Sequence, residues 1–231
     1  MDKNEDFSRR VVIHTKEMDW LASPVVGVAR RPLDRVGGEV ARATSIVRYA
    51  PGSQFSPHSH PGGEELFILE GVFQDEHGNF PAGSYIRNPP GSQHTPGSAT
   101  GCVIFVKLWQ FDLSDRTQVH LDTNRLAAIE HVSRTGFSAI PLFQNEHETV
   151  SLEHWPANAG IELDAIGGME LLVVDGDFIE GEDRLQQHDW LRLPPGATGK
   201  AIVGKRGATV WTKTGHLRTV EQEVAIVRAR Q

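Results

Sequence analysis

Two stretches of this chain are nearly the same text, 105 residues apart: EELFILEG, beginning at Glu64, and MELLVVDG, beginning at Met169. The same interval carries Arg87-Asn88-Pro89-Pro90-Gly91 onto Arg192-Leu193-Pro194-Pro195-Gly196, and Pro51 onto Pro156. Upstream, GVARRPL at Gly27 and GFSAIPL at Gly136 are 109 residues apart, so one four-residue length change reconciles the series. A repeat of this period in 231 residues implies a duplicated unit of about 100 residues, an ordinary domain size. The expected division is residues 1–115 and 116–231.

Each copy reads as β-structure. Ala43 to Tyr49, Leu66 to Phe73, Ser84 to Arg87 and Cys102 to Phe111 are short runs bounded by Gly and Pro, as strands are. The chain has 23 glycines and 13 prolines, mostly at the joins, which favours an all-β architecture. VVIHT from Val11 reads as a strand that pairs outside the first unit, with His14 a plain strand residue. The connection from Asp112 to Asn145 carries weak strand character at Gln118 to Leu121 and a short helical turn near Asn124 to His131. The tail VEQEVAIVR, Val220 to Arg228, suits a strand or a short helix equally. Trp109, Trp190 and Trp211 fall in predicted strands and are expected in a core or an interface.

The first copy holds a group of metal-ligand type. In GSQFSPHSHPGGEELFILEG, Gly52 to Gly71, His58 and His60 stand two apart and Glu64 follows four later. Residues i and i+2 of a strand share a face, about 7 Å apart. If Pro61-Gly62-Gly63 is a three-residue hairpin loop, Glu64 pairs opposite His60, its Cβ about 5 Å away, and Glu65 points to the other side. GSYIRNPPGSQH, Gly83 to His94, supplies a third imidazole. Three imidazoles and a carboxylate suit a borderline divalent ion such as zinc, iron(II), manganese, nickel or cobalt. Binding should weaken as pH falls through the histidine range. At the 105-residue interval, positions 58, 60, 64 and 94 become Leu163, Ala165, Met169 and Gly199, so the second copy is expected to bind no metal there. His154 and His188 sit on none of those positions and are expected to be surface or hydrogen-bonded residues.

These residues reproduce the two signature motifs of the cupin superfamily. The first, G-x5-H-x-H-x3-E-x6-G, is met by Gly52, His58, His60, Glu64 and Gly71. The second, G-x5-P-x-G-x2-H-x3-N, is met by Gly83, Pro89, Gly91 and His94, with Ser98 in place of the final Asn. EELFILEGVFQDEHGNFPAGSYIRNPPGSQH and GCVIFVKLWQF more narrowly resemble the cupin domain of ChrR-type anti-sigma factors, over about Val25 to Leu217. The resemblance implies two tandem cupin barrels (double-stranded β-helix, or jelly roll). It also implies one divalent ion on His58, His60, Glu64 and His94, with zinc foremost and iron, manganese or nickel as alternatives. Family members carry an N-terminal sigma-binding domain with His and Cys zinc ligands. This chain has one cysteine and begins its cupin-like text almost at once, so a sigma-factor partner is not expected. A homodimer is a family expectation.

Composition narrows the rest. Short apolar runs rule out a helical membrane span of about 18 residues, and the charged start MDKNEDFSRR has no apolar leader, so a cytoplasmic location is expected. The single Cys102 excludes an internal disulfide and reads as a buried structural thiol in GCVIFV. A net charge of −7, with no basic face interleaved with aromatics, gives no support to nucleic-acid binding. Three roles fit. The family suggests a regulatory sensor of an oxidant or small molecule. Cupins of similar sequence suggest an iron-dependent dioxygenase cleaving a diketone or a hydroxyacetophenone-like substrate. A plain ligand-binding cupin, in which the ion only anchors a small molecule, is the third. No catalytic acid–base residue beyond the ligand set, and no organic cofactor site, is identifiable in the sequence.

Overall fold

Glycine and proline punctuation translates into strands. A computed structural model describes residues 2–130 and 136–231. Strands dominate it, and the one α-helix among the described residues is Val220–Arg228. The tail is therefore helical, and Asp112 to Asn145 contains a 3-10 turn at Thr123–Arg125; His131 lies outside the described residues.

The chain forms two compact units, and the termini cross between them. The first comprises Met1–Glu5, Asp19–Arg125 and Glu221–Gln231; the second comprises Asp6–Met18 and Leu126–Val220.

In the first unit the main sheet runs in the order Leu21–Ala22, Val28–Gly37, Ala41–Tyr49, Cys102–Leu108, Glu64–Asp75, Ser84–Asn88, Val119–Asp122, all antiparallel neighbours. Ser53–Gln54 and Gly97–Ser98 make a smaller ladder beside the end of Glu64–Asp75. The long strand serves both because it bends at Gly71. That residue has φ 71°, and a Cβ there would stand 2.1 Å from the carbonyl oxygen of Gly101; only glycine fits. A separate two-stranded ladder pairs His58–His60 with Ser92–His94. Val28, Tyr49, Leu66, Ile68, Phe73, Ile86, Cys102, Ile104 and Val106 form the buried interior cluster. Helix Val220–Arg228 is fixed to this unit by Glu223, whose carboxylate accepts a 2.7 Å bond from the buried Arg42 Nε.

The second unit repeats the plan. Its sheet runs Val11–Ile13, Trp190–Leu193, Met169–Glu180, Ala197–Thr214, Thr149–Trp155, Ser138–Gln144, Ile129–Glu130. Met169–Glu180 corresponds residue for residue to Glu64–Asp75, and it bends at Gly176, where a Cβ would meet the Gly207 oxygen at 2.0 Å. Val11–Ile13 pairs with Trp190–Leu193, outside the first unit as its sequence suggested. His14 lies beyond that strand, and its Nδ1 contacts Asp189 Oδ2 at 3.1 Å, so it is an anchor rather than a strand residue.

A buried charged row is also duplicated. Glu65 stands between Arg87 and Lys107 in the ladder register, and Glu170 between Arg192 and Lys213. All six are at most 2% exposed. Each arginine stacks on a phenylalanine, Arg87 over Phe111 at 4.1 Å and Arg192 over Phe7 at 4.3 Å. Buried charge survives only when paired, so these rows demand fixed strand registers. Trp190 and Trp211 are fully buried, whereas Trp109 lies just past its strand with φ 58°. Cys102 is buried as expected, and burial pushes its thiol up to about 11.

Candidate metal centre

His58, Ser59 and His60 form a short strand whose partner is Ser92–His94. His58 faces His94 directly in that register, and His60 faces Ser92. The hairpin expected between His60 and Glu64 is absent. Glu64 begins the long strand and pairs with Asn88 and Leu108 instead. It reaches the histidines through a tight turn, closed by the Gly63 N–H on the His60 carbonyl at 3.1 Å. Gly63 takes φ 75°, and its missing side chain leaves room for the Phe111 ring. The expected partition of the two glutamates holds by this other route: Glu65 accepts from Tyr85 Oη at 2.6 Å, away from the histidines.

The three imidazoles converge. One ring nitrogen from each of His58, His60 and His94 lies within 4.8 Å of the other two. His60 Nε2 and His94 Nε2 are 3.0 Å apart. Glu64 Oε2 stands 3.4 Å from the first and 3.3 Å from the second. His60, Glu64 and His94 are buried, and His58 is half-buried.

Hydrogen bonds preset two of the rings. His58 Nδ1 lies 2.9 Å from the Ser56 carbonyl oxygen, which can only accept, so Nδ1 carries the proton and Nε2 keeps its lone pair. His94 Nδ1 lies 3.2 Å from Asp75 Oδ2, with the same consequence. Asn88 Nδ2 donates to Glu64 Oε2 at 3.3 Å and orients that carboxylate. Burial lowers His60, and Glu64 only partly opposes it. Burial also works against protonated His94, but the Asp75 hydrogen bond and the Glu64 charge outweigh it and the net shift is upward. Burial raises Asp75, yet its bonds from His94 and the His77 amide leave it below the usual carboxylate range, and ionised at neutral pH.

Aromatic rings line the imidazoles. Phe55 packs on His58 at 5.7 Å and Phe73 on His94 at 6.1 Å between centroids. Tyr49 touches both phenylalanines, and burial lifts its phenol well above the ordinary value. Low polarity around a polar donor set strengthens charge attraction inside it. Three imidazole nitrogens and a carboxylate, two of the rings with the proton already on the far nitrogen, make a donor set that fits a divalent cation.

Sequence reading missed Asp75, Asn88 and Tyr49. A signal existed for Asn88. It becomes Leu193 in the second copy, as His58, His60 and Glu64 become Leu163, Ala165 and Met169. Asp75 had none, because its counterpart Glu180 is also acidic.

In the second unit Leu163 faces Gly199, and Leu163, Ala165 and Met169 belong to its apolar interior. His154 bonds Thr209 at 3.2 Å, and His188 occupies a turn with φ 71°.

Residues 8–112 match the family model of the ChrR cupin-like domain. No match was found among curated proteins. Solved structures share the fold at low identity. A candidate dioxygenase of Nostoc punctiforme is 14% identical with TM-score 0.70, covering 94% of this chain and 83% of that one. The bacterial pirin YhhW of Escherichia coli, in complex with nickel(II), is 12% identical with TM-score 0.64, covering 90% and 99%. The oxalate decarboxylase of Bacillus subtilis, which has Mn(II) centres, is 10% identical with TM-score 0.62, covering 89% and 76%. The duplicated jelly-roll plan and these matches agree on the fold: residues 8–112 are similar to the ChrR cupin-like domain, and the chain as a whole shares the fold of these solved structures.

Proposed function

We propose that the first barrel holds one divalent cation, zinc foremost, on His58, His60, Glu64 and His94, and serves as a regulatory sensor of a small molecule or oxidant. The convergence of three imidazole nitrogens within 4.8 Å carries this reading, supported by the family match over residues 8–112. A bound cation would supply Lewis acidity and a place for an incoming donor atom. The chain's own residues do the rest. Ser56 and Asp75 hold the protons of His58 and His94 on the outer nitrogens. Asn88 steadies Glu64, and the Tyr49–Phe55–Phe73 wall offers a small apolar ligand a dry surface beside the imidazoles. Elemental analysis of the purified protein tests the first step. About one ion per chain is expected, and none in His60→Ala; no ion in either protein ends the reading.

A second reading, carried by the sequence resemblance, is an iron-dependent dioxygenase acting on a diketone or hydroxyacetophenone-like substrate, and the Nostoc neighbour, itself a candidate dioxygenase, supports its reaction class alone. Oxygen consumption by iron-loaded protein across a β-diketone panel decides between them. Uptake that requires both iron and diketone supports the enzyme. Silence across the panel favours the sensor.

A further inference from the structure

Asp75 closes the strand Glu64–Asp75, at the opposite end from Glu64. Both of its oxygens are engaged: Oδ1 accepts the His77 amide at 2.8 Å, and Oδ2 faces His94 Nδ1 at 3.2 Å. Side-chain exposure is 2% for Asp75 and 3% for His94, so water does not compete for the contact. The carboxylate is therefore pinned by its own turn before it meets the ring.

The second unit shows what this acid does when its histidine is gone. Glu180 occupies the same place at the end of Met169–Glu180, and Gly199 stands where His94 would. A Cβ on Gly199 would lie 3.0 Å from Glu180 Oε1, so the carboxylate has moved into the space of the lost side chain. Its partner is now Arg10, which donates from Nε at 2.8 Å and Nη2 at 2.6 Å. The acid is kept in both copies, and it is bonded to an N–H donor in both.

We infer that Asp75 is a positioning residue for ion binding: its carboxylate orients the His94 ring and holds the proton on Nδ1, which leaves Nε2 free to face His60 and Glu64. This rests on the metal reading of the first barrel. A carboxylate behind a ligating imidazole fixes tautomer and orientation and raises donor strength, and removing one typically weakens metal affinity about 10- to 100-fold.

The test uses the full chain. Zinc affinity is measured by competition with a chromophoric chelator, and the cobalt(II) absorption spectrum is recorded for wild type, Asp75→Ala, Asp75→Asn and Asp75→Glu. Asp75→Ala is expected to bind zinc about 10- to 100-fold more weakly with an altered cobalt spectrum. Asp75→Glu should recover part of the loss, because the second barrel already carries a glutamate there. On ion-free protein, ¹⁵N spectra of the histidines should show His94 protonated on Nδ1 in wild type and shifted toward Nε2 in Asp75→Ala. If Asp75→Ala fails to fold, the nearly isosteric Asp75→Asn gives the same readings. Wild-type binding with equal affinity and an unchanged cobalt spectrum in the variant overturns this proposal alone. A wild-type protein that takes up no ion overturns the metal reading and this proposal with it.

Discussion

In the first barrel His58 stands opposite His94 across a two-strand ladder; in the second, Leu163 stands opposite Gly199 at the same register. The frames agree in finer detail. Both long strands bend at a glycine that touches the opposing backbone, Gly71 and Gly176. Both carry a buried row of Glu between Arg and Lys. Yet Leu163, Ala165 and Met169 join a continuous apolar cluster, while His58, His60 and Glu64 point polar atoms at one another. The jelly-roll frame is thus indifferent to what fills this position. Strand register and glycine bends set the fold, and a few interior side chains decide between a polar cradle that could hold an ion and a plain core. Substitutions in the frame should hurt either barrel, and substitutions at the cradle should separate them.

The largest effect is expected in the frame. Lys213 Nζ meets Glu148 Oε2 at 2.8 Å with both side chains buried. Lys213→Met leaves that carboxylate without this partner in a dry setting and should cost about 3–5 kcal/mol. Arg87, held by Asp115 Oδ2 at 2.7 Å and stacked on Phe111, is its first-barrel test, and Arg87→Met should cost a similar amount. Urea unfolding followed by tryptophan fluorescence measures both. A loss below about 1 kcal/mol, the range of exposed ion pairs, in one barrel only would break the idea of a shared frame.

Next comes the ion. A ligand that binds only the folded chain stabilises it by about 2.7 kcal/mol at a concentration one hundred times its Kd. Zinc should therefore raise the melting temperature of wild type and leave His60→Ala unmoved. Substitutions at Leu163 or Met169 should leave the zinc response intact. A response that survives His60→Ala but is lost with a second-barrel variant would invert the assignment of the two barrels.

Much of this contrast was legible in the sequence, for a physical reason. Strand alternation and glycine-proline turns are local rules, so the strands, the repeat and the replacement of His58, His60, Glu64 and His94 in the second copy could be read from residue order. What stayed hidden depends on distant partners. Glu64 reaches His60 through a turn rather than a hairpin ladder, because His58–His60 pairs with Ser92–His94, more than thirty residues on. Asp75 meets His94 only because the long strand bends at Gly71 and returns toward the cradle. The crossing of the termini between units likewise follows from long-range pairing, which periodicity does not encode.

A smaller effect is expected from writing the ligand back. Leu163→His places an imidazole in the apolar interior, where Ala165 and Gly199 offer no side-chain donor, Met169 only a soft thioether, and the Glu180 carboxylate near Gly199 is already held by Arg10. Burying a polar side chain without partners costs about 1–3 kcal/mol. Calorimetry should show that loss and no zinc-dependent recovery. Recovery with zinc would mean that the second barrel has kept more of the cradle than its side chains indicate.

The smallest effect sharpens the comparison, because each unit uses a histidine–aspartate contact differently. His94 and Asp75 are almost wholly buried and frame the cradle, while His14 and Asp189 strap the N-terminal segment onto the second unit. Asp189 also accepts the amides of Thr15 at 2.9 Å and Gln186 at 3.0 Å, so the carboxylate is a fixed post. Its hydrogen bond to His14 raises that ring's pKa, with burial partly opposing. A raised folded-state pKa means the protonated form favours the strapped state. The contribution is complete below the unfolded histidine value of about 6.5 and is lost as pH rises through the higher folded value. Side-chain exposure of 33% makes the effect modest and salt-sensitive. After correction for intrinsic exchange rates, amide protection across Val11–Ile13 should fall between pH 6 and pH 8 at low salt. In His14→Ala it should be lower and flat with pH. Equal pH dependence in both proteins would show that the strap is held by Arg10 on Glu180 and Asp183, at 2.6 and 2.7 Å, with no share for the imidazole.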